Sequence, residues 1–163
     1  MASGTAGREV QLIIGNCGYM WASRQSLYGN TATASITSAL EFLDLALKMT
    51  NRPIGIITWD AKALVPLLRD CSGAERFRFL TVGDLLEWEK ASAYRELVGW
   101  SKEQMAQELA ARLREAFGVN GVFNDVGVLV IECTLVPDFR PRIREITTLP
   151  ILDLLTFART ALR

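Results

Sequence analysis

Two compact apolar runs, Ile54–Thr58 and residues 126–131, constrain the fold more than any other feature of this chain. Neither alternates in the way of a strand with one wet face, and each is too short for a buried helix. Both therefore read as strands covered on two sides, the pattern of a parallel sheet. Helix-patterned segments follow in alternation: residues 61–69, 84–97 and 101–117, then 138–146 and 154–162, with further strands at 76–82 and 149–152. That order predicts an α/β fold built on a doubly wound parallel sheet.

Ahead of this region, residues 10–14 read as a strand that ends at Gly15-Asn16-Cys17-Gly18. A short helix is expected at 19–28. A longer one is expected at 34–49, starting near the cluster Ser35-Ile36-Thr37-Ser38 and broken by Asn51-Arg52-Pro53. Ser101 and Gln104 fit a capping box for the helix that follows them, whereas Pro66 is unfavourable inside 61–69.

The 163 residues carry 18 basic and 18 acidic side chains, so no charge excess points to nucleic acid or to a charged membrane surface. Half the residues are hydrophobic, enough for a packed core without bridges or metals. No apolar run is long enough to span a bilayer. Residues 1–9 are small and polar and lack the apolar stretch of a secretion signal, which leads us to expect a cytoplasmic protein with free thiols. The three cysteines show no CxxC spacing, so no metal is expected. Histidine is absent, which excludes Ser-His-Asp and Cys-His catalysis and any histidine-held metal. Proton transfer in this chain falls to Cys, Asp, Glu, Lys or Tyr.

Cys17 and Cys133 each follow the carboxyl end of a strand and precede a helix, where open α/β sheets place ligand chemistry. Backbone N–H groups at such a turn stabilise a thiolate or bind an anion. Taken singly, each also fits an inert buried cysteine; the pairing of two such positions is what favours chemistry. Cys71 follows no strand and reads as a spare thiol. Glu132 is placed to raise or orient the Cys133 thiol, and equally to serve a strand end. Ser35, Thr37 and Ser38 suit a helix cap as well as a ligand. Trp59, Trp88 and Trp100 read as packing residues, one of Tyr19, Met20 and Trp21 as a candidate pocket wall, and the carboxylates between Glu87 and Glu115 as solvated helix faces.

Taken in order, several segments carry a resemblance. They are Gly15-Asn16-Cys17-Gly18 with Gln25, then Ser35 and Thr37, then Ile54–Thr58 with Asp60-Ala61. Val130 to Thr134, Pro137, Leu149 to Asp153 and Thr156 follow. In this collinear order the chain resembles the aspartate/glutamate/hydantoin racemase superfamily over nearly its whole length from Val10. The resemblance implies two pseudo-symmetric Rossmann-like lobes with a site between them and no cofactor. It implies Cys17 and Cys133 as the acid/base pair, with Asn16, Gly18, Ser35, Thr37, Thr58, Asp60 and Thr134 binding a small carboxylate or amino-acid-like substrate. Glutamate racemases carry histidine directly after the second Cys-Thr; Leu135 stands there, so the chain looks nearer the aspartate, hydantoin or maleate-isomerase-like branches.

Family members also carry a βα unit ahead of the first cysteine strand, and this chain reaches Cys17 without one. The expected organisation is therefore a flexible segment at 1–9, a partial first lobe at 10–50 and a second lobe at 51–163, with the last helix packing back on the first lobe. An incomplete first sheet exposes an edge, which leads us to expect a homodimer. The function implied is a cofactor-independent racemase or epimerase working by two-thiol proton exchange. The alternatives are a one-cysteine relative, such as a decarboxylase or cis-trans isomerase, and a binding module without catalysis.

Overall fold

The structure, a computed structural model, describes residues 10–28, 30–92 and 99–162. The strands are β1 (Leu12–Ile14), β2 (Ala34–Ile36), β3 (Ile54–Thr58), β4 (Phe77–Thr81), β5 (Val128–Ile131) and β6 (Ile151–Asp153). The helices are α1 (Arg24–Tyr28), α2 (Leu43–Met49), α3 (Ala61–Leu68), α4 (Leu86–Ser92), α5 (Lys102–Ala116), α6 (Arg140–Arg144) and α7 (Leu154–Ala161). All strand pairs are parallel. β1 and β2 form one small sheet, and the other four strands form a second in the order β4-β3-β5-β6.

Both central strands are buried along their whole length because helices cover the two faces. Side chains alternate across a strand, so Ile54, Ile56, Val128 and Val130 enter one core with residues of α2, α3 and α7. Ile57, Leu129 and Ile131 enter the other, with Trp88 of α4, Leu109 of α5 and Ile143 of α6. Each fully buried aliphatic side chain contributes about 2 kcal/mol. Chain order therefore sends α3 to one face and α4 to α6 to the other. The winding reverses between β3 and β5, and the crevice beyond the carboxyl ends of those two strands is the topological switch point of the sheet.

The helix read over 34–49 is corrected. Ala34–Ile36 is a strand that pairs with β1, Leu12 opposite Ala34 and Ile14 opposite Ile36. A 3-10 turn (Ala39–Phe42) and α2 follow, with Ser38 accepting from the Leu40 N–H as N-cap. Three residues of strand have no visible period of their own; they exist because β1 offers a ladder. The helix read over 138–146 is likewise split into a 3-10 turn (Val136–Phe139) and α6. Pro66 is accommodated inside α3. Of the helix read over 84–97, residues 86–92 are helical and 93–97 lie outside the described residues.

α2, assigned to the first lobe from sequence, packs on the four-stranded sheet through Leu43 and Ala46. α7 lies against β1, and Phe157 meets Phe42 with ring centroids 5.4 Å apart. Among the described residues, no helix is long and apolar enough to cross a membrane.

Candidate active site

The strand-to-helix turns after β1 and β5 are locked together. Thr134 donates its hydroxyl to the Asn16 carbonyl at 2.7 Å, tying the residue after Cys133 to the residue before Cys17. Gly18 presses its backbone onto Glu132: a Cβ there would lie 1.7 Å from a carboxylate oxygen. Gly15 is equally close to the Thr37 carbonyl, where a Cβ would come within 1.8 Å. The glycines flanking Asn16-Cys17 are thus dictated by close approach of the backbone to neighbouring segments. One sets the turn against β2, the other sets it against the end of β5.

Glu132 forms the floor of this junction. It is 3% exposed and accepts a 2.6 Å hydrogen bond from the Thr58 hydroxyl at the end of β3. Its backbone N–H donates to Ile57 at 2.9 Å, extending the β3–β5 ladder by one step. The carboxylate therefore sits at the switch point, in contact with the loop of one cysteine and adjacent in sequence to the other.

A cavity of about 500 Å³ opens above it. Asn16, Cys17, Glu132, Cys133 and Thr134 line one part, and Trp59, Trp100, Met105 and Phe139 line another. Cys17 is half-buried, Cys133 is 8% exposed, and both are free thiols. Burial pushes the Cys133 thiol up to about 11, and the Glu132 and Cys17 charges push the same way. The backbone N–H groups of Leu135 and Val136 oppose this by hydrogen bonding to its sulfur. At neutral pH Cys133 is a protonated thiol with the means to hold a thiolate once burial is offset. Tyr19, also on the cavity wall, is pushed up to about 12, first by burial and then by Glu132. Its hydroxyl donates to the Asp60 carbonyl at 3.2 Å and stays protonated.

Of the residues expected from sequence, Cys17, Cys133, Asn16 and Thr134 meet in the cavity lining. Gly18 and Thr58 stand behind it, both through Glu132. Asp60 caps α3, accepting from the Lys62 N–H at 2.8 Å, and touches the site only through Tyr19. Thr37 is committed elsewhere, its hydroxyl and N–H both donating to Glu41 at 2.6 and 2.7 Å. Ser35 lies on β2 opposite Ile13, outside the lining. Asp153 is a buried N-cap for α7, paired with Arg140.

Of the aromatic wall, sequence reasoning offered Tyr19 as one of three candidates and missed the rest. Trp59 and Phe139 flank Trp88, with ring centroids 6.4 and 5.2 Å from it. A tryptophan after a strand carries the same signal whether it packs or lines a pocket; its position one residue beyond β3, at the switch point, was the usable clue. Glu87 also departs from the solvated face expected of it. It is buried, pairs with Lys90 and accepts from the Ser101 N–H at 2.8 Å.

Among the described residues, no three cysteine, aspartate or glutamate side chains group closely enough to hold a metal ion. The arrangement offers two thiols, a buried carboxylate and the exposed Asn16 amide around one cavity. No protein-family model matches this chain, and no curated protein matches it in sequence.

Proposed function

We propose that this protein is a cofactor-independent isomerase that removes and returns a proton at the carbon next to a carboxylate, with Cys17 and Cys133 as the two proton-transfer groups. The observation that carries the reading is that these two thiols, each at the end of a parallel strand, line one cavity at the switch point of the sheet. In one direction Cys17 takes the α-proton: the C–H bond breaks, an S–H bond forms, and the electron pair passes into the carboxylate as an enolate. Cys133, protonated at neutral pH, then gives its proton to the opposite face of the carbon. The roles exchange for the other enantiomer. The exposed Asn16 amide beside the thiols orients the carboxylate, and Thr134 holds Asn16 in place through its backbone carbonyl, a preorganised arrangement of the kind such weak carbon acids require.

The same proposal places the protein in the cytoplasm, where its thiols stay reduced, and in a homodimer. Support for the dimer is the two-stranded sheet, which exposes Ile14 of β1 beside the exposed Val10.

Single Cys→Ser variants test the reading through exchange of the α-proton in D2O, followed by NMR together with optical rotation. Racemisation is expected to vanish in both variants, with exchange persisting in at most one. A second reading is favoured by the high pKa of Cys133: a single thiol that protonates a carbanion left by decarboxylation. Turnover that survives Cys17→Ser but not Cys133→Ser would select it.

A further inference from the structure

We infer that the substrate of this site is a monocarboxylate bearing an aromatic ring, or a comparably large apolar group, next to the reacting carbon; the inference rests on the two-thiol reading above. Three observations carry it. A cavity of about 500 Å³ is of the size that encloses a ring-bearing ligand, and a four-carbon amino acid leaves much of it unfilled. The wall is apolar and built to stay in place. Trp59 and Phe139 are braced from behind by the fully buried Trp88, whose indole N–H donates to the Met105 carbonyl at 3.1 Å. Gly83 lets the Trp59 indole lie directly on backbone, since a Cβ there would come within 2.5 Å of Nε1. Trp100, Leu135 and Met105 complete a surface on which an aromatic ring stacks or packs by its edge.

The third observation is the charge of the lining. It contains Glu132, Asp138 and Lys102, two carboxylates against one ammonium. Lys102 is already paired, its Nζ 3.5 Å from Asp138. One substrate carboxylate finds donors in the exposed Asn16 amide and in Lys102. A second, as in aspartate or glutamate, meets the like charges of Glu132 and Asp138, and among the described lining residues no cation besides Lys102 receives it, so it is disfavoured.

The test compares phenylacetate with succinate for binding to the full chain, by ligand-observed NMR and quenching of tryptophan fluorescence. α-Proton exchange of 2-phenylpropionate and phenylglycine is compared with that of aspartate and glutamate. Phenylacetate is expected to bind at least roughly tenfold more tightly than succinate. Trp100→Ala, at the exposed side of the wall, should erase most of that preference by weakening phenylacetate more than succinate; Phe139→Leu gives a second reading from inside it. Succinate binding as tightly as phenylacetate overturns the inference, as does failure of phenylacetate to bind. Phenylacetate binding without α-proton exchange of any aryl substrate supports the pocket's ligand class and sinks the two-thiol reaction. Exchange of aspartate in preference to the aryl acids does the reverse.

Discussion

The Thr58 hydroxyl donates a 2.6 Å hydrogen bond to the Glu132 carboxylate, joining the carboxyl ends of the two central strands at the point where the winding of the sheet reverses. Both residues are buried, so the bond is shielded from water and fixes the carboxylate that both cysteine turns rest on. Thr58→Val keeps the shape and removes the donor. Leaving a buried carboxylate oxygen short of a partner costs about 1–3 kcal/mol, expected as a lower midpoint of urea unfolding. An unchanged midpoint would mean that Glu132 is satisfied some other way.

Glu132 also sets the proton affinity of its neighbour. Burial is the main cause of the high Cys133 pKa and the Glu132 charge adds to it. Glu132→Gln is therefore expected to lower the pH midpoint of Cys133 alkylation, followed by peptide mass mapping, from about 11 toward but not to the ordinary 9.0. No movement of the midpoint would show that burial alone governs the thiol.

The same shift has a signed consequence for stability. Because the folded pKa is raised, the folded chain keeps the Cys133 proton over a range in which the unfolded chain has lost it. Its contribution is fully present below pH 9.0 and is lost as pH rises toward about 11. Unfolding free energies measured across that window should fall more steeply for the native chain than for Cys133→Ala. Parallel profiles would count against it.

Gly18→Ala probes the junction from the other side. Its Cβ would lie 1.7 Å from a Glu132 oxygen that Thr58 holds in place, so the turn carrying Cys17 has to move. Crowding of this kind costs about 1–3 kcal/mol. The expected result is a destabilised protein whose α-proton exchange falls further than its stability explains. Native stability in Gly18→Ala would falsify the close approach.

Much of the larger sheet was legible in the sequence because β3 and β5 are buried on both faces and announce themselves as unbroken apolar runs. β2 was not, since Ala34-Ser35-Ile36 has neither length nor period and becomes a strand only through pairing with β1. At the site, Cys17, Asn16, Cys133 and Thr134 were legible because strand ends are where such folds expose polar groups. For Thr37 the sequence left a helix-start role and a ligand role equally open, because its hydroxyl is as well matched to Glu41, one helical turn away, as to a ligand. The aromatic wall stayed hidden because Trp59 and Phe139 meet only in three dimensions, through Trp88.

The two turns hang on frameworks of very different cooperativity. Cys133 follows a central strand of a four-stranded sheet, whereas Cys17 follows a three-residue strand with a single neighbour among the described residues. A two-stranded ladder opens at far lower free energy than a sheet interior. The amides of β1 and β2 therefore exchange with solvent well before those of β3 and β5, and the wall of the cavity that carries Cys17 is the one that breathes.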